Sequence, residues 1–449
     1  MNAIVLAVIV MMGLVLIRVP IIPAIIAATF AGGMSAGMSV TEVTSAFEGG
    51  LGNGANIALS YAMLGAFAVA LSRSRLTHLL ASHIVRLVGA KSSANSNMYA
   101  AMVMYGAFLI TATVAETLVP VHIAFIPILI PPLLEVMDRL KLDRRAAACA
   151  LTCGLIFAYM LFPIGFGAVF QVDILARNIN LAGADLGFEI NPSIIPMAML
   201  IPAAGMLLGL LLAVFVSYRK PRTYEIRDIG EAGGDSTPIE DVSLSLGQIT
   251  LSLLAIVAAL AVQLISGSML LGGLVGFGIL SLGGFFRWQE VDDVFVLGLR
   301  MMALIGFIMV TAQGFAAVMQ ATGEVPALVE SSAELIGDSK GMAAFVLLVV
   351  GLLITMGIGS SFSTVPVIAV IYVPLCIGFG FSPLATVALI GTAGALGDAG
   401  SPASDSTLGP TAGLDADGQH DHIWDTVVPT FLHFNLPLLA AGWVAAMIL

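Results

Sequence analysis

Residues 41–51 read TEVTSAFEGGL, and residues 289–299 read QEVDDVFVLGL. Aligned without a gap, Glu, Val, Phe, Gly and Leu coincide at five of eleven positions. A second likeness follows in each half: Leu109–Val121 is LITATVAETLVPV, and Leu353–Val367 is LITMGIGSSFSTVPV. The offset stays between 244 and 248 residues. Apolar composition can imitate the second match, but a shared glutamate at fixed spacing is hard to obtain that way. The chain is therefore read as two copies of one unit.

Composition says in what solvent that unit folds. Of 449 residues, 59% are hydrophobic and only 10% charged, with a mean hydropathy of +1.04. Soluble domains are about 45–50% apolar and about 25% charged. A soluble enzyme, a nucleic-acid binder and a disordered scaffold are excluded, and lipid surrounds most of the chain. The net charge of −11 belongs to the loops. Cys149, Cys153 and Cys376 lie in apolar stretches. The first two are four apart on one helix face without two further zinc ligands nearby, so all three are packing residues. No basic residue precedes the first apolar run, which reads as a span and not as a cleaved signal peptide.

Apolar runs fall at 2–17, 19–39, 51–72, 98–117, 118–137, 146–171 and 193–218, then at 248–266, 268–284, 301–320, 341–358, 362–380, 382–404 and 427–447. Seven runs, a polar linker over 219–247 and seven more runs match the duplication. If the N-terminus is outside and each run crosses once, fifteen of the 17 Lys and Arg face the cytoplasm, and only Arg177 and Lys340 face outward. Seven is odd, so the second copy starts on the opposite side from the first. The expected fold is an all-α polytopic membrane protein of two inverted-topology repeats, in a prokaryotic inner membrane.

The pairs 98–137 and 341–380 are expected to be re-entrant hairpins, although two full spans in each place would keep the same parity and charge distribution. Their tips, Thr111–Pro120 and Gly357–Pro366, carry hydroxyls and a proline at a turn, and such backbone survives at membrane depth only against protein or a wet cavity. Glu116, Thr117, Ser360, Ser361, Ser363 and Thr364 are the tip residues expected at a central site. Two amphipathic stretches, 76–91 and 324–337, are too polar to span and are expected to lie at the interface. His78 and His83 in the first of them are given no chemistry.

After each hairpin comes a helix broken in its middle: GLIFAYMLFPIGFGAVF over Gly154–Phe170 and GTAGALGDAGSPASDST over Gly391–Thr407. Pro removes a backbone donor, and Gly lets the chain leave the helix. Broken helices at corresponding places in two halves point to a transport site. Ionisable residues inside a membrane are functional by default. Glu116, Asp398 and Asp405 fall at such depths, with no Lys or Arg there to neutralise them. His122 and His433 read as hydrogen-bonded packing residues. Burial raises a carboxylate's pKa and a cation lowers it, so one group can trade H⁺ against Na⁺. Asp398 is expected to carry the coupling ion with Asp405 as partner, both as Na⁺ ligands. Ser401, Ser404 and Thr407 supply neutral oxygens suited to a hard cation.

The run Gly397, Asp398, Ser401, Pro402, Ser404, Asp405 and Thr407, followed by Asp421-His-Ile and Pro429, resembles the signature of the prokaryotic Na⁺/H⁺ antiporter family within the ion transporter superfamily. The resemblance implies elevator-type movement and a homodimer, with scaffold segments at 1–72 and 248–320 and transport segments at 98–218 and 341–449. It implies Na⁺ or H⁺ as coupling ion, no other cofactor and a small ion or solute as cargo. Na⁺/H⁺ antiport is the leading expectation, and ion-coupled transport of an amino acid such as histidine or of a small carboxylate is the alternative. The acidic stretch Asp415–Asp421 reads as a solvated loop. A nucleotide-driven pump lacks its phosphate loop, because no Lys follows a Gly. An intramembrane aspartyl protease needs its two aspartates on separate helices, whereas Asp398 and Asp405 share one segment. No enzyme activity is expected.

Overall fold

The computed structural model describes residues 2–17, 19–74, 97–118, 126, 130–225, 246–324, 327, 331, 334, 337, 339–402 and 404–449. The interfacial arm expected at 76–91, the first hairpin tip beyond residue 118, His122 and most of the arm at 324–337 and of the linker at 219–247 lie outside them. Every regular element among the described residues is helical.

In the first copy these are α1 (Ala3–Leu16), α2 (Ile21–Ser35), α3 (Val40–Arg73), α4 (Asn97–Leu118), α5 (Pro131–Arg139) and α6 (Arg144–Leu161). Then come α7 (Phe166–Ala168), a π-helical segment Val169–Ala176, α8 (Arg177–Gly183), α9 (Ile195–Ala198) and α10 (Leu200–Leu212). The second copy has α11 (Leu246–Ser266), α12 (Met269–Leu282), α13 (Val291–Ala321), α14 (Lys340–Ile358), α15 (Ser361–Gly378), α16 (Pro383–Asp398) and α17 (Asp405–Leu414). It ends with α18 (Val428–Thr430), between π-helical segments His422–Val427 and Phe431–Asn435, and α19 (Leu436–Ile448). Among the described residues, four stretches are long and apolar enough to cross a bilayer alone: Arg144–Leu161, Pro192–Ser217, Ser361–Gly378 and His422–Ile448.

The residues shared by the two repeat stretches have the same work in both. Glu42 accepts the backbone N–H of Ser39 at 2.7 Å, and Glu290 accepts that of Arg287 at 2.9 Å. Each closes the first turn of a long helix, α3 or α13, by satisfying an N–H that the helix leaves orphaned. The shared glycines bring these two helices together. A Cβ on Gly50 would lie 2.6 Å from the Gln313 carbonyl oxygen, and one on Gly298 would strike the backbone of Gly65 and Ala66. A shift of 248 residues turns Gly50 into Gly298 and Gly65 into Gln313, so each contact is the other's image.

Along the interface Phe47 meets Gly314, Ala58 meets Gly306 and Gly65 meets Gly298. The numbers rise on one helix as they fall on the other, so equivalent helices run antiparallel. Helices α10 and α19 do the same, with Gly205 against Ala441 and Gly209 against Pro437. Two copies of one unit whose like helices pack antiparallel are inverted-topology repeats.

The remaining packing repeats likewise. Helix α1 packs on α2 as α11 does on α12, and α4 on α6 as α14 does on α16. Thr113 donates to the Gly154 carbonyl at 3.2 Å, and Thr355 to that of Ala393 at 3.0 Å. These pairs differ by 239 to 242 residues, so the offset of 244 to 248 already fails within the hairpins. Aligning LIT with LIT places Thr111, two residues early, opposite Thr355.

The second hairpin is re-entrant. Its two ends meet, with the Lys340 ammonium donating to the Gly380 carbonyl at 2.6 Å, and its tip at Ser361 reaches the break in α16 rather than the far side. Loops expected on one side of the bilayer meet on one side: Arg144 with Asp417 and Arg222 with Asp425 at one face, Ser382 with Leu449 and Asn2 with Glu324 at the other.

Gly298→Ala is expected to lower the thermal midpoint of the detergent-purified protein, by an overpacking cost of about 1–3 kcal/mol. Gly278→Ala, where a Cβ meets nothing within 4 Å, is expected to leave it unchanged or raised. Equal midpoints for the two variants would remove the α3–α13 contact as a determinant of the fold.

Candidate functional site

Ser382 caps α16 by accepting the Ala385 N–H at 3.1 Å, and the helix runs through small residues to Ala395. Leu396 then turns extended, with ψ 138°, and Gly397 has φ +82°. Only glycine fits there: besides the positive φ, a Cβ would lie 2.6 Å from the Met356 nitrogen of α14. The hairpin thus presses against the break. The freed Gly397 N–H is donated to Asn435 Oδ1 at 2.8 Å, from a π-helical segment. The chain resumes as α17 at Asp405, capped by Ser404, which accepts the Ser406 N–H at 3.0 Å.

The break points Asp398 inward, 4% exposed. The Tyr159 hydroxyl donates to its Oδ2 at 2.7 Å, and the Ser404 hydroxyl donates to Oδ1. Ser361, fully buried at the hairpin tip, adjoins both the carboxylate and the phenol. Asp405 lies within electrostatic range of Asp398, at a helix N-terminus, which favours an anion. Ser401 donates to the Met356 carbonyl at 3.1 Å. Thr407 donates to the Ser401 and Ser404 carbonyls at 2.6 and 2.9 Å. These two hydroxyls shape the loop, and their oxygens keep lone pairs.

Tyr159 comes from the other copy. It precedes the first break, where Phe162 turns extended and Gly165 adopts φ +57°. The carbonyls of Tyr159 and Met160 each accept from the Gln171 amide at 3.2 Å. Around the Tyr159 ring stand Phe170, with centroids 4.6 Å apart, and Phe362, at 5.5 Å. Phe362 stacks on Phe166 at 4.6 Å, and Tyr61 of α3 lies 6.0 Å from Phe166. Glu116, 2% exposed, reaches the same group from the first hairpin, within electrostatic range of Tyr61 and Tyr159.

Of the residues expected at the site, Asp398, Ser361 and Ser404 share one carboxylate with Asp405 beside it, and Glu116 approaches from the opposite copy. Thr117 and Thr364 turn their hydroxyls back onto their own helices, to the Thr113 and Ser360 carbonyls at 2.7 and 2.9 Å. Ser363 is buried on α15. His433 is the expected packing residue, bonded to the Pro429 carbonyl and the Ser217 hydroxyl at 2.7 Å each. Sequence reasoning missed Tyr159, Gln171, Asn435 and the phenylalanines. Tyr159 alone left a signal, a hydroxyl four residues ahead of Pro163. No group of three or more His, Cys, Asp or Glu able to hold a metal occurs among the described residues.

The stretch Asp415–Asp421 is exposed at Asp415, Gly418 and Asp421, as a solvated loop would be, but the side chains of Asp417 and His420 turn inward. The Arg144 side chain, wholly buried, donates to both oxygens of Asp417 at 2.7 Å, to Asp138 at 3.0 Å and to the Leu414 carbonyl at 3.0 Å. The Tyr224 ring covers its guanidinium at 4.2 Å. An arginine at the head of α6 needs such neutralising partners once buried, and the insert supplies them. Burial works to raise the Asp417 carboxyl, but the hydrogen bonds and charge of Arg144, together with the hydrogen bonds from Gln419, outweigh it and hold the group below its usual range. Its contribution to stability is therefore present above the ordinary carboxylate range and is lost as pH falls through the lowered value. Asp417→Asn leaves Arg144 underneutralised and is expected to cost about 3 kcal/mol, read as a drop in thermal midpoint. Exposed Asp185→Asn serves as control, and a midpoint equal to the control would reduce the ion pair to decoration.

Residues 150–443 match the Na⁺/H⁺ antiporter family model, and residues 2–88 match a second model described as a Na⁺–H⁺ antiporter family. An uncharacterised membrane protein of Vibrio parahaemolyticus is 54% identical over the whole of both chains. A Bacillus subtilis protein named "Putative amino acid transporter YuiF" is 48% identical, again over the whole of both. The crystal structure of the Alcanivorax borkumensis YdaH transporter, described as having an unusual topology, superposes with a TM-score of 0.60 at 17% identity, covering 90% of this chain and 86% of its own. The chain belongs to the Na⁺/H⁺ antiporter family. It is a multi-pass membrane transporter and not an enzyme.

Proposed function

We propose that this member of the Na⁺/H⁺ antiporter family exchanges Na⁺ for H⁺ at Asp398, by elevator-type alternating access. One observation carries the reading: a carboxylate buried at a helix break whose hydrogen-bond partners are hydroxyls and not cations. Such a group holds either a proton or a hard cation, and the two compete for the same oxygens. Ser361 and Ser404 stand beside it, and Ser401, Thr407 and carbonyls freed by the break complete a set of neutral oxygens. Asp405 adds a second negative charge. Glu116, Thr117, Ser360, Ser363 and Thr364 line the approach from the hairpin tips.

The segments 98–218 and 341–449 then move as the transport unit against 1–72 and 248–320, in a homodimer of the prokaryotic inner membrane with the N-terminus outside. The aromatic group around Tyr159 supports a second reading, in which the cargo is an amino acid or small carboxylate and the ion is its driver. The name of the Bacillus relative favours the same alternative. Flat rings beside a carboxylate suit an organic cation or zwitterion better than a bare ion.

Asp398→Asn keeps the shape and removes the titrating charge. In proteoliposomes it is expected to abolish Na⁺-driven proton movement while the protein still folds. Tyr159→Phe is expected to keep transport with a weakened Na⁺ dependence. Wild-type exchange by Asp398→Asn refutes the assignment. Uptake of a labelled amino acid, without Na⁺/H⁺ exchange, selects the second reading.

For orientation, Lys141→Cys and Asp185→Cys report opposite faces, since the native cysteines are buried. An impermeant thiol reagent added to intact cells is expected to label Asp185→Cys and spare Lys141→Cys. The reverse pattern would invert the topology and leave the basic loops outside.

A further inference from the structure

Helices α4 and α10 both pack on α6. Over the head of α6, at its far end from Tyr159, they leave a cavity of about 230 Å³ between them. Its walls are apolar at Ala101 of α4, at Leu140 and Leu142, and at Val214 in the π-helical segment Ala213–Ser217 that extends α10. Its rim is basic, with Lys141, Arg219 and Lys220 in the lining and exposed. None of the three makes an ion pair among the described residues. The one carboxylate in the lining, Asp143, is taken up by Arg145, which donates to it from Nε at 3.0 Å, from Nη2 at 2.7 Å and from the backbone N–H at 2.9 Å. The cavity therefore carries an unbalanced positive charge.

Lys141 is held in this place at a cost. Its φ is +54°, and no other residue except glycine has a positive φ among the described residues. A lysine there bears a steric penalty that glycine would avoid, and an outlier of this kind points to a use for the side chain. The Lys141 N–H donates to the Asp138 carbonyl at 3.0 Å, and the Lys141 carbonyl accepts the Arg222 N–H at 3.1 Å. The second bond ties the 140–143 loop to the chain leaving α10, and Asp425 holds the Arg222 side chain at 2.7 Å. Two basic segments far apart in sequence are thus set on one rim in advance, which lowers the cost of ordering them on a ligand.

The surface beside the cavity selects the kind of anion. Leu208 and Leu211 stand exposed on α10, within two turns of Val214, as do Met102 and Ile110 on α4. Between Met102 and Ile110 a Cβ on Gly106 would meet nothing within 4 Å. A cationic cavity beside bare apolar helix surface matches an amphiphile with an anion at one end and hydrocarbon at the other. A soluble anion would use the rim alone. We propose that the cavity between α4 and α10 binds the headgroup of an anionic phospholipid, with Lys141, Arg219 and Lys220 on its phosphate and the acyl chains along α4 and α10. Basic pockets between helices at a membrane face take such headgroups. The volume holds several waters at about 30 Å³ each, or the glycerophosphate part of one lipid. The bound lipid bridges the first hairpin, the head of α6 and α10. This site does not depend on the Na⁺/H⁺ reading, and its test reads binding alone.

Delipidated full-length protein in detergent is titrated with phosphatidylglycerol, with phosphatidylcholine of the same chains and with glycerol 3-phosphate, and bound molecules are counted by native mass spectrometry. Phosphatidylglycerol is expected to bind about tenfold or more tighter than either of the others. Lys141→Gln, Arg219→Gln and Lys220→Gln are each expected to weaken it about fivefold. Arg73→Gln, at an exposed position outside the cavity, is expected to leave it unchanged. All four positions are exposed, and an unchanged lipid-free thermal midpoint shows that the variants fold. Phosphatidylcholine bound as tightly as phosphatidylglycerol, cavity variants that bind like wild type, or an equal loss in Arg73→Gln overturns the site. Glycerol 3-phosphate bound as tightly as phosphatidylglycerol overturns the lipid as occupant in favour of a soluble phosphate.

Discussion

A helix that breaks inside a bilayer must find partners for every backbone group it frees, because lipid supplies none. Much of the centre of this molecule answers that constraint. At the first break the Gln171 amide takes the carbonyls of Tyr159 and Met160. At the second, Asn435 takes the Gly397 N–H, and Ser401 and Thr407 bind carbonyls. Both amides project from π-helical segments, where an extra residue in the turn re-aims side chains, and such segments often mark functional sites.

The two copies solve the same problem with different chemistry. The first resumes its helix at once and fills the gap with Phe166 and Phe170. The second inserts a polar loop carrying Asp398 and Ser404. Inverted packing then places the aromatic break of one copy against the acidic break of the other, and the Tyr159–Asp398 hydrogen bond joins them across 239 residues of sequence. Duplication builds the frame, and divergence between the copies makes the site.

The face that carries Arg144 is tied together by charge. Arg144 heads the helix that carries Tyr159 in its last turn, and Asp417 follows the helix that begins at Asp405. Their ion pair therefore ties the far ends of the two half-helices whose near ends meet at the site. Thr152 reinforces the tie midway, donating to the Ser406 carbonyl at 2.7 Å. A carboxylate positioned this way sits between two anchored half-helices, and its geometry does not depend on the loop alone.

The sequence by itself determined whatever is periodic or local. The TEVTSAFEGGL and QEVDDVFVLGL stretches disclosed the duplication, and their glutamate and glycine proved to be a cap and a helix contact, both set within a few residues of chain. Lys and Arg spacing sorted the loops into two faces, and Gly and Pro marked both breaks, since backbone freedom is a property of the residue itself. Asp398 and Ser404 were legible because the break that exposes them is local. Tertiary structure decided the rest. It alone placed Tyr159 on Asp398, Asn435 on Gly397 and Arg144 on Asp417, and it alone turned the Asp417 side chain inward from a loop exposed at Asp415, Gly418 and Asp421. Those partners lie 38 to 273 residues apart. A side chain's charge or hydroxyl is written in the sequence, but its neighbour is chosen only when helices from two inverted copies pack against each other.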